Sequence, residues 1–150
     1  MKTRWLRVLI VAAIALSGPM SLGLDFTVRA WVLGGQSEEV VAFFANHVTP
    51  FAWCVVPLPI LGGIAGFRWY PTRFRKSLER WQRDRTVSVE QAASRADLEA
   101  LFLTTTLAQF PAVFGDLSII LGARLTPALC STTASVIAVL AIATLAPRRR

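Results

Sequence analysis

Charged residues are clustered along this chain, and they leave four long stretches that are mostly apolar. These stretches contain no Asp, Glu, Lys or Arg and lie between residues 7 and 25, 39 and 68, 99 and 116, and 124 and 148. A helix needs about 20 predominantly apolar residues to cross the hydrocarbon core of a bilayer. The pattern therefore predicts four transmembrane helices, at about residues 5–24, 40–67, 98–123 and 126–146.

The predicted fold class is all-α, because within lipid a helix satisfies its own backbone hydrogen bonds. Of the 150 residues, 54% are hydrophobic and only 17% are charged, whereas about a quarter of an ordinary soluble domain is charged. We expect a single polytopic membrane domain over residues 1–150, with residues 68–97 as its one sizeable loop. Because this loop is too short to form a catalytic domain, we predict a non-enzymatic protein.

The positions of the basic residues predict which ends of the helices face the cytoplasm. Of the 16 Lys and Arg residues, three lie in residues 1–7, eight lie in residues 68–97 and three end the chain. Cytoplasmic segments carry an excess of Lys and Arg, so both termini and the 68–97 loop are predicted to be cytoplasmic. Arg greatly outnumbers Lys, a compositional hint of a bacterial genome, and we expect the bacterial inner (plasma) membrane.

The first 23 residues also fit a secretory signal, with a basic start, an apolar run and small residues after it. No clear A-x-A cleavage site stands between Pro19 and Gly23. We therefore predict that this stretch is a true first span.

The cytoplasmic loop contains a predicted amphipathic helix. Phe74, Leu78 and Trp81 recur at i, i+4 and i+7, which places them on one helical face. A basic amphipathic helix lies on a membrane surface with its apolar face buried and its basic side chains extended to water. No nucleic-acid motif accompanies the charge, and we predict anionic lipid as the partner of these three residues and of Arg73, Arg75, Lys76, Arg80 and Arg83.

The second span is predicted to be strongly kinked or broken around residues 56–59. Pro50, Pro57 and Pro59 each remove a backbone donor, and each proline ring clashes with the carbonyl four residues earlier. Two interpretations stay open. The break could line a cavity or an ion path, or the glycines at positions 62, 63 and 66 could pack closely against a neighbouring helix.

Small residues recur at helical spacing in the third and fourth spans, a pattern that allows close helix contact within membranes. The predicted packing residues are Ala108, Ala112, Gly115, Ser131, Ala134, Ser135 and Ala138. The connection between these two spans is very short, so we predict that they are antiparallel neighbours.

Asp116 is the one acid deep inside a predicted span, since Glu99 stands at the very start of the third span, and ionisable groups within a membrane are functional candidates. Gln109 lies seven residues earlier on the same helical face, so the two side chains could hold a proton or a small cation. The alternative is structural, with Asp116 paired to Arg29 or Arg124 and Gln109 bonded across a helix interface. Both interpretations stay open.

His47 is the one histidine, and it is predicted to lie at a depth similar to that of Asp116. It is a third candidate for an ion path, which a contact between the two side chains would favour. Alternatively it is an axial ligand to haem or chlorophyll, or a polar residue satisfied near the outer surface. The sequence contains no catalytic motif and no metal motif, and beyond a pigment or haem at His47 we predict no cofactor.

The stretch Arg95–Gly122, with its continuation to Pro147, resembles the second hairpin of the proteolipid (c-type) subunits of rotary ATPases. It is similar also to a group of small uncharacterised bacterial four-span proteins. The likeness lies in a basic loop followed by LFLTTTLAQFPAVFGDLSIIL, in which Gly115 matches the glycine of the family. Gln109 occupies the place of the ion-binding carboxylate, and a glutamine cannot release a proton. The resemblance implies a helical hairpin that packs side by side with copies or partners.

Three functions are consistent with this sequence. The leading prediction is a non-enzymatic, integral membrane protein that acts as an accessory subunit of a larger membrane complex or as a homo-oligomer. The second is a proteolipid-like channel, or a proton- or cation-translocating subunit, that uses Asp116. The third is a carrier of pigment or haem through His47.

Overall fold

The computed structural model describes residues 2–83 and 87–146, apart from the side chains of residues 2–4. Its five helices are α1 (Lys2–Leu33), α2 (Glu38–Val55), α3 (Leu58–Arg83), α4 (Val89–Ile120) and α5 (Leu125–Leu145). The described residues form no strand, so the predicted all-α class is confirmed. Four helical stretches are long and apolar enough to cross a membrane: α1, the pair α2 and α3, α4, and α5.

Helix α4 is the centre of the bundle, because it packs against each of the other four helices. The side chains it buries are mostly small. Among the fully enclosed ones are Ala92, Ala96, Ala100, Ala108 and Ala112. Small side chains let neighbouring backbones approach closely, and close packing is a main source of helix association in lipid. Helix α5 also contacts every other helix, but the contacts of α4 are the more extensive, so the predicted third span lies within the most extensively packed helix of the bundle.

The predicted break in the second span is present in the structure. Helix α2 ends at Val55 and α3 begins at Leu58, with Pro57 between them. Proline has no N–H to continue the hydrogen-bond ladder, and its ring crowds the preceding turn. The chain resumes its helix at once, since the N–H of Leu61 donates to the Pro57 carbonyl at 3.1 Å.

The glycines after this break pack closely, as one of the two interpretations expected. A Cβ atom placed on Gly62 would lie only 2.6 Å from the carbonyl oxygen of Leu107 on α4. Pro111 cannot donate to that carbonyl, so the helical ladder leaves it without its usual partner. The Cα of Gly62, which carries no side chain, therefore packs against the Leu107 carbonyl, which Pro111 leaves without a backbone donor.

The threonines before Pro111 do not cover the freed carbonyl. Each hydroxyl donates to a carbonyl one turn earlier in the same helix. The bonds run from Thr104 to Ala100, from Thr105 to Leu101 and from Thr106 to Phe102. Ser and Thr side chains commonly bond back to their own helix in this way.

The turn from α4 into α5 explains why these helices are antiparallel neighbours. Gly122 has a φ of +94°, a conformation that glycine adopts without steric cost. The N–H of Ala123 donates to the Ser118 carbonyl and that of Gly122 to the Ile119 carbonyl, both at 2.9 Å. This bond pair is a Schellman motif, which satisfies the last carbonyls of a helix and stops it.

Helices extend well beyond the predicted spans. Helix α1 continues to Leu33, so Asp25 is helical rather than part of an outer connection. Residues 68–83 continue α3, and α4 begins at Val89 after the cap Ser88, whose hydroxyl accepts from the Gln91 N–H at 3.3 Å. Helical backbone thus occupies most of the predicted loop.

Candidate functional site

Helices α1 and α4 run parallel, and their contacts fix which residues lie at the same level. Arg7 of α1 contacts Asp97 of α4, and Arg29 contacts Ala123 just beyond α4. Between these ends, a Cβ placed on Gly18 would lie 2.5 Å from the amide nitrogen of Gln109. Position numbers therefore rise together along the two helices.

The end of the bundle nearest the N-terminus is held by one carboxylate. Arg7 donates to Asp97 Oδ2 at 2.7 Å and to the carbonyl of Ala143 on α5 at 3.1 Å. The Tyr70 hydroxyl on α3 donates to the other oxygen of Asp97. We call Arg7, Tyr70 and Asp97 the clasp, because these three side chains connect α1, α3, α4 and α5.

The middle level of the bundle contains Gln109, which is buried. The Ser135 hydroxyl on α5 donates to its Oε1 atom, and Gly18 of α1 lies against its amide group. The absence of a side chain at position 18 is what lets α1 approach α4 so closely here. The prediction that Gln109 bonds across a helix interface is confirmed.

One level further along, Asp116 is fully enclosed. Thr132 Oγ1 on α5 donates to its Oδ1 atom at 2.8 Å, whereas its Oδ2 atom has no hydrogen-bond partner among the described residues. A second buried oxygen, the hydroxyl of Ser131, also lacks a partner. Ser131 lies against Gly115, next to Asp116 in the chain, since a Cβ at Gly115 would be 3.1 Å from the hydroxyl. Buried polar atoms usually have hydrogen-bond partners, so two unpartnered oxygens in one region mark it as a candidate functional site.

The expected salt bridge of Asp116 is not formed. Arg29 instead donates to the carbonyl of Ala123 at 2.7 Å, which completes the cap of α4. Arg124 is exposed, and its backbone N–H donates to the Thr49 hydroxyl of α2 at 3.0 Å. Neither basic side chain pairs with Asp116, so the buried carboxyl keeps only a hydroxyl donor.

His47 and Asp116 are not brought together. The His47 ring is exposed, lies 2.8 Å through Nδ1 from the Phe43 carbonyl of its own helix, and packs on the Phe43 ring with centroids 4.2 Å apart. These contacts are those of a polar side chain satisfied within its helix. Its assignment as a haem or chlorophyll ligand stays a prediction.

The predicted lipid-surface residues lie on the second half of α3, and part of their apolar face contacts α4. Phe74 packs against the hydrophobic core, and the Trp81 ring nitrogen donates to Glu99 at 3.3 Å. Arg80 pairs with Glu99 at 3.0 Å, and Arg73 lies 5.0 Å over a tryptophan ring. Leu78 is half-buried, while Arg75, Lys76 and Arg83 are exposed.

The predicted packing residues fall into two groups. Five are buried between α4 and α5: Ala108, Ala112, Gly115, Ser131 and Ser135. Ala134 and Ala138 are half-buried and line a groove of about 340 Å³ between α3 and α5. Gly63 lies on the floor of the groove, where a Cβ would come within 2.7 Å of the Ala138 Cβ, and Arg68 lies at one end.

Sequence reasoning missed Asp25, which the structure buries on α1 with Ser21 Oγ 3.5 Å from its Oδ2 atom. A charge at the edge of an apolar run indicates the end of a span, so this acid was assigned to a connection. One signal could have found it. Asp25 follows Gly18 by seven residues, as Asp116 follows Gln109.

We expect the Arg7–Asp97 pair to contribute more to stability than the exposed Arg80–Glu99 pair. Side-chain exposure is 16% and 23% in the first pair, against 71% and 29% in the second. A partly buried bond between charged groups stabilises by about 1.5 kcal/mol or more, and an exposed pair by less than about 1 kcal/mol.

Double-mutant cycles of unfolding free energy in detergent micelles would measure both couplings. One cycle uses Arg7→Gln with Asp97→Asn, and the control uses Arg80→Gln with Glu99→Gln. Equal couplings in the two cycles would contradict a stabilising role for the clasp.

The buried cluster consists of Asp25, Gln109, Asp116 and Ser131. Among the described residues, it is the one place that combines enclosed acids with oxygens that lack a hydrogen-bond partner. No group of three or more His, Cys, Asp or Glu side chains that could hold a metal ion occurs in the described part of the chain. Its chemistry is therefore that of carboxyl, amide and hydroxyl groups. No family model, no curated protein and no solved structure matches this chain.

Proposed function

We propose that this protein is a non-enzymatic membrane subunit that binds a transmembrane helix, either of a second copy or of another protein. The groove between α3 and α5 supports this proposal. Its volume is about 340 Å³, and its floor is formed by the small residues Gly63, Ala134, Ala138 and Ala141. Its rims are bulky and open to the surroundings, with Ile64 53% and Ile137 62% exposed.

A helix is the occupant that suits this shape. Within a membrane, apolar burial alone does not bring helices together, because lipid tails are as apolar as leucine. Association depends on van der Waals packing, which small residues allow by letting backbones approach. The α3–α5 groove offers such a floor along two helices.

The proposal includes a location and an orientation. We place the protein in a bacterial inner membrane with both termini on the cytoplasmic side, since bases are concentrated at the two termini and in residues 68–97. The exposed side chains of Arg75, Lys76 and Arg83 would then face the anionic lipid surface of that side.

Photo-crosslinking in membranes tests the groove. A photoreactive phenylalanine analogue at position 137 should give a covalent adduct with a second copy or with another membrane protein. The control places the analogue at Leu16 of α1, which is 57% exposed. Gly18 and Ser135 both contact Gln109, so they lie at the same depth. Leu16 precedes Gly18 by two residues and Ile137 follows Ser135 by two. Because α1 and α5 run in opposite directions, both steps lead the same way along the bundle axis.

The two labelled positions are thus at matched depth and similar exposure. A protein adduct at position 137 and none at position 16 supports the proposal. Adducts to lipid alone at both positions would refute it.

The second candidate function is proton or cation translocation through Asp116. The observation that favours it is the unpartnered Oδ2 atom of a carboxyl that is fully enclosed and pairs with no base in the part of the chain that the structure describes. Ionisable groups in such positions are costly and mark ion pathways in many membrane proteins. Because the carboxyl is sealed in this conformation, transport requires a second conformation that opens it to water.

Proton flux into liposomes tests the second candidate. Asp116→Asn should reduce the flux to the level of protein-free liposomes, since an amide cannot carry the proton. Glu99→Gln is the matched control, because it removes an acid from the same helix outside the enclosed cluster, and it should leave the flux unchanged. Unaltered flux in Asp116→Asn would eliminate this function.

A further inference from the structure

The register of α1 on α4 brings two buried acids to one level. Gly18 lies against Gln109, and the two helices run in the same direction. Seven residues, or about two helical turns, separate Gly18 from Asp25 and Gln109 from Asp116. Residues at this spacing share a helical face, so Asp25 and Asp116 lie on the faces through which α1 and α4 meet, at one level of the bundle.

Both carboxyl groups are removed from water. Asp116 is 0% exposed and Asp25 is 7% exposed. A like charge nearby disfavours ionisation of a carboxylate, and burial disfavours it further. Two carboxylates that share an enclosed site therefore retain a proton between them rather than ionise together.

The surrounding groups do not neutralise this pair by other means. On α1, Arg29 is bonded to the Ala123 carbonyl, and on α5 the groups near Asp116 are the hydroxyls of Ser131 and Thr132. On α2, His47 is exposed and bonded to its own helix.

The remaining charges of α3 and α4 stand away from the pair. The described charges of α3 begin at Arg68, which lies at one end of the α3–α5 groove. The other charged residues of α4 are Glu90, Arg95, Asp97 and Glu99, in its first third. Neither set supplies a positive charge at the level of Asp116.

We propose that Asp25 and Asp116 form one proton-binding site that holds a single proton between α1 and α4. The unpartnered Oδ2 atom of Asp116 is the position on that residue where the proton resides, since Oδ1 already accepts from Thr132. The unpartnered Ser131 hydroxyl beside Gly115 is a further polar group at this level. The inference deepens the second candidate function and rests on its premise that this cluster lies within the membrane.

The chemistry of the site favours a proton over a metal ion. Hard divalent cations take six or more oxygen ligands. The described residues supply two carboxyl groups and a few hydroxyls, one of which is already bonded. A proton needs only one oxygen to hold it and a second to share it.

Infrared difference spectroscopy of the full chain in liposomes tests the site. At neutral pH the protein should show the carbonyl stretch of one protonated carboxylic acid per chain, and isotope-labelled aspartate should shift that band. Asp25→Asn and Asp116→Asn should each remove or shift it, because both carboxyl groups belong to the proposed site. Glu99→Gln should leave it unchanged, since that acid is paired with Arg80 outside the cluster.

Three outcomes would overturn the proposal. They are the absence of any protonated aspartate band in the wild-type chain, a band that Asp25→Asn leaves unaltered, and a band that disappears when sodium or calcium is added at constant pH. The first outcome is measured on the wild-type protein and the second on an isosteric variant, so neither depends on a large change in side-chain size. If the band behaves as expected while Asp116→Asn leaves liposome flux unchanged, the site stands and translocation fails.

Discussion

The ion pair between Arg7 and Asp97 sets the register of α1 on α4, and that register decides which polar groups meet inside the bundle. The pair is reinforced by Tyr70 from α3 and by the Ala143 carbonyl of α5. Charge-assisted bonds are directional and short, whereas apolar helix faces can slide past one another at little cost. A pair at the end of α1 therefore determines the contacts at Gly18 and beyond.

The register has an energetic consequence at the buried acids. Enclosing one ionised carboxylate without a counter-charge costs several kcal/mol, and enclosing two would cost more. Neither Arg29 nor Arg124 offsets this cost. The Arg29 side chain is bonded to the Ala123 carbonyl at the turn after α4, and Arg124 is exposed. A shared proton offsets it, which is why the arrangement of Asp25 and Asp116 points to proton binding rather than to an ion pair.

The sequence predicted the features that depend on local pattern. Gaps between charges located the four apolar stretches, and prolines located the break near Pro57, because both follow from composition over a few turns. The pairings that build the site are long-range. Arg7 and Asp97 are 90 positions apart, and Ser135 and Gln109 are 26 apart, so no window of sequence reveals them. Asp25 was missed because hydropathy ends a span at the first charge, whereas α1 continues past it.

The central claim is that α1 lies on α4 and α5 with Gly18 at the level of Gln109 and Thr132. Disulfide formation tests it directly in a chain whose two native cysteines are replaced by alanine. A Cβ at Gly18 would be 3.1 Å from Thr132 Cγ2, an atom at the γ position that a cysteine sulfur would take, so Gly18→Cys with Thr132→Cys brings the two cysteines within reach of a disulfide. A Cβ at Gly23 would have no neighbour within 4 Å. The account predicts an intramolecular disulfide for the first pair and none for Gly23→Cys with Thr132→Cys. A disulfide in the second pair and none in the first would contradict it.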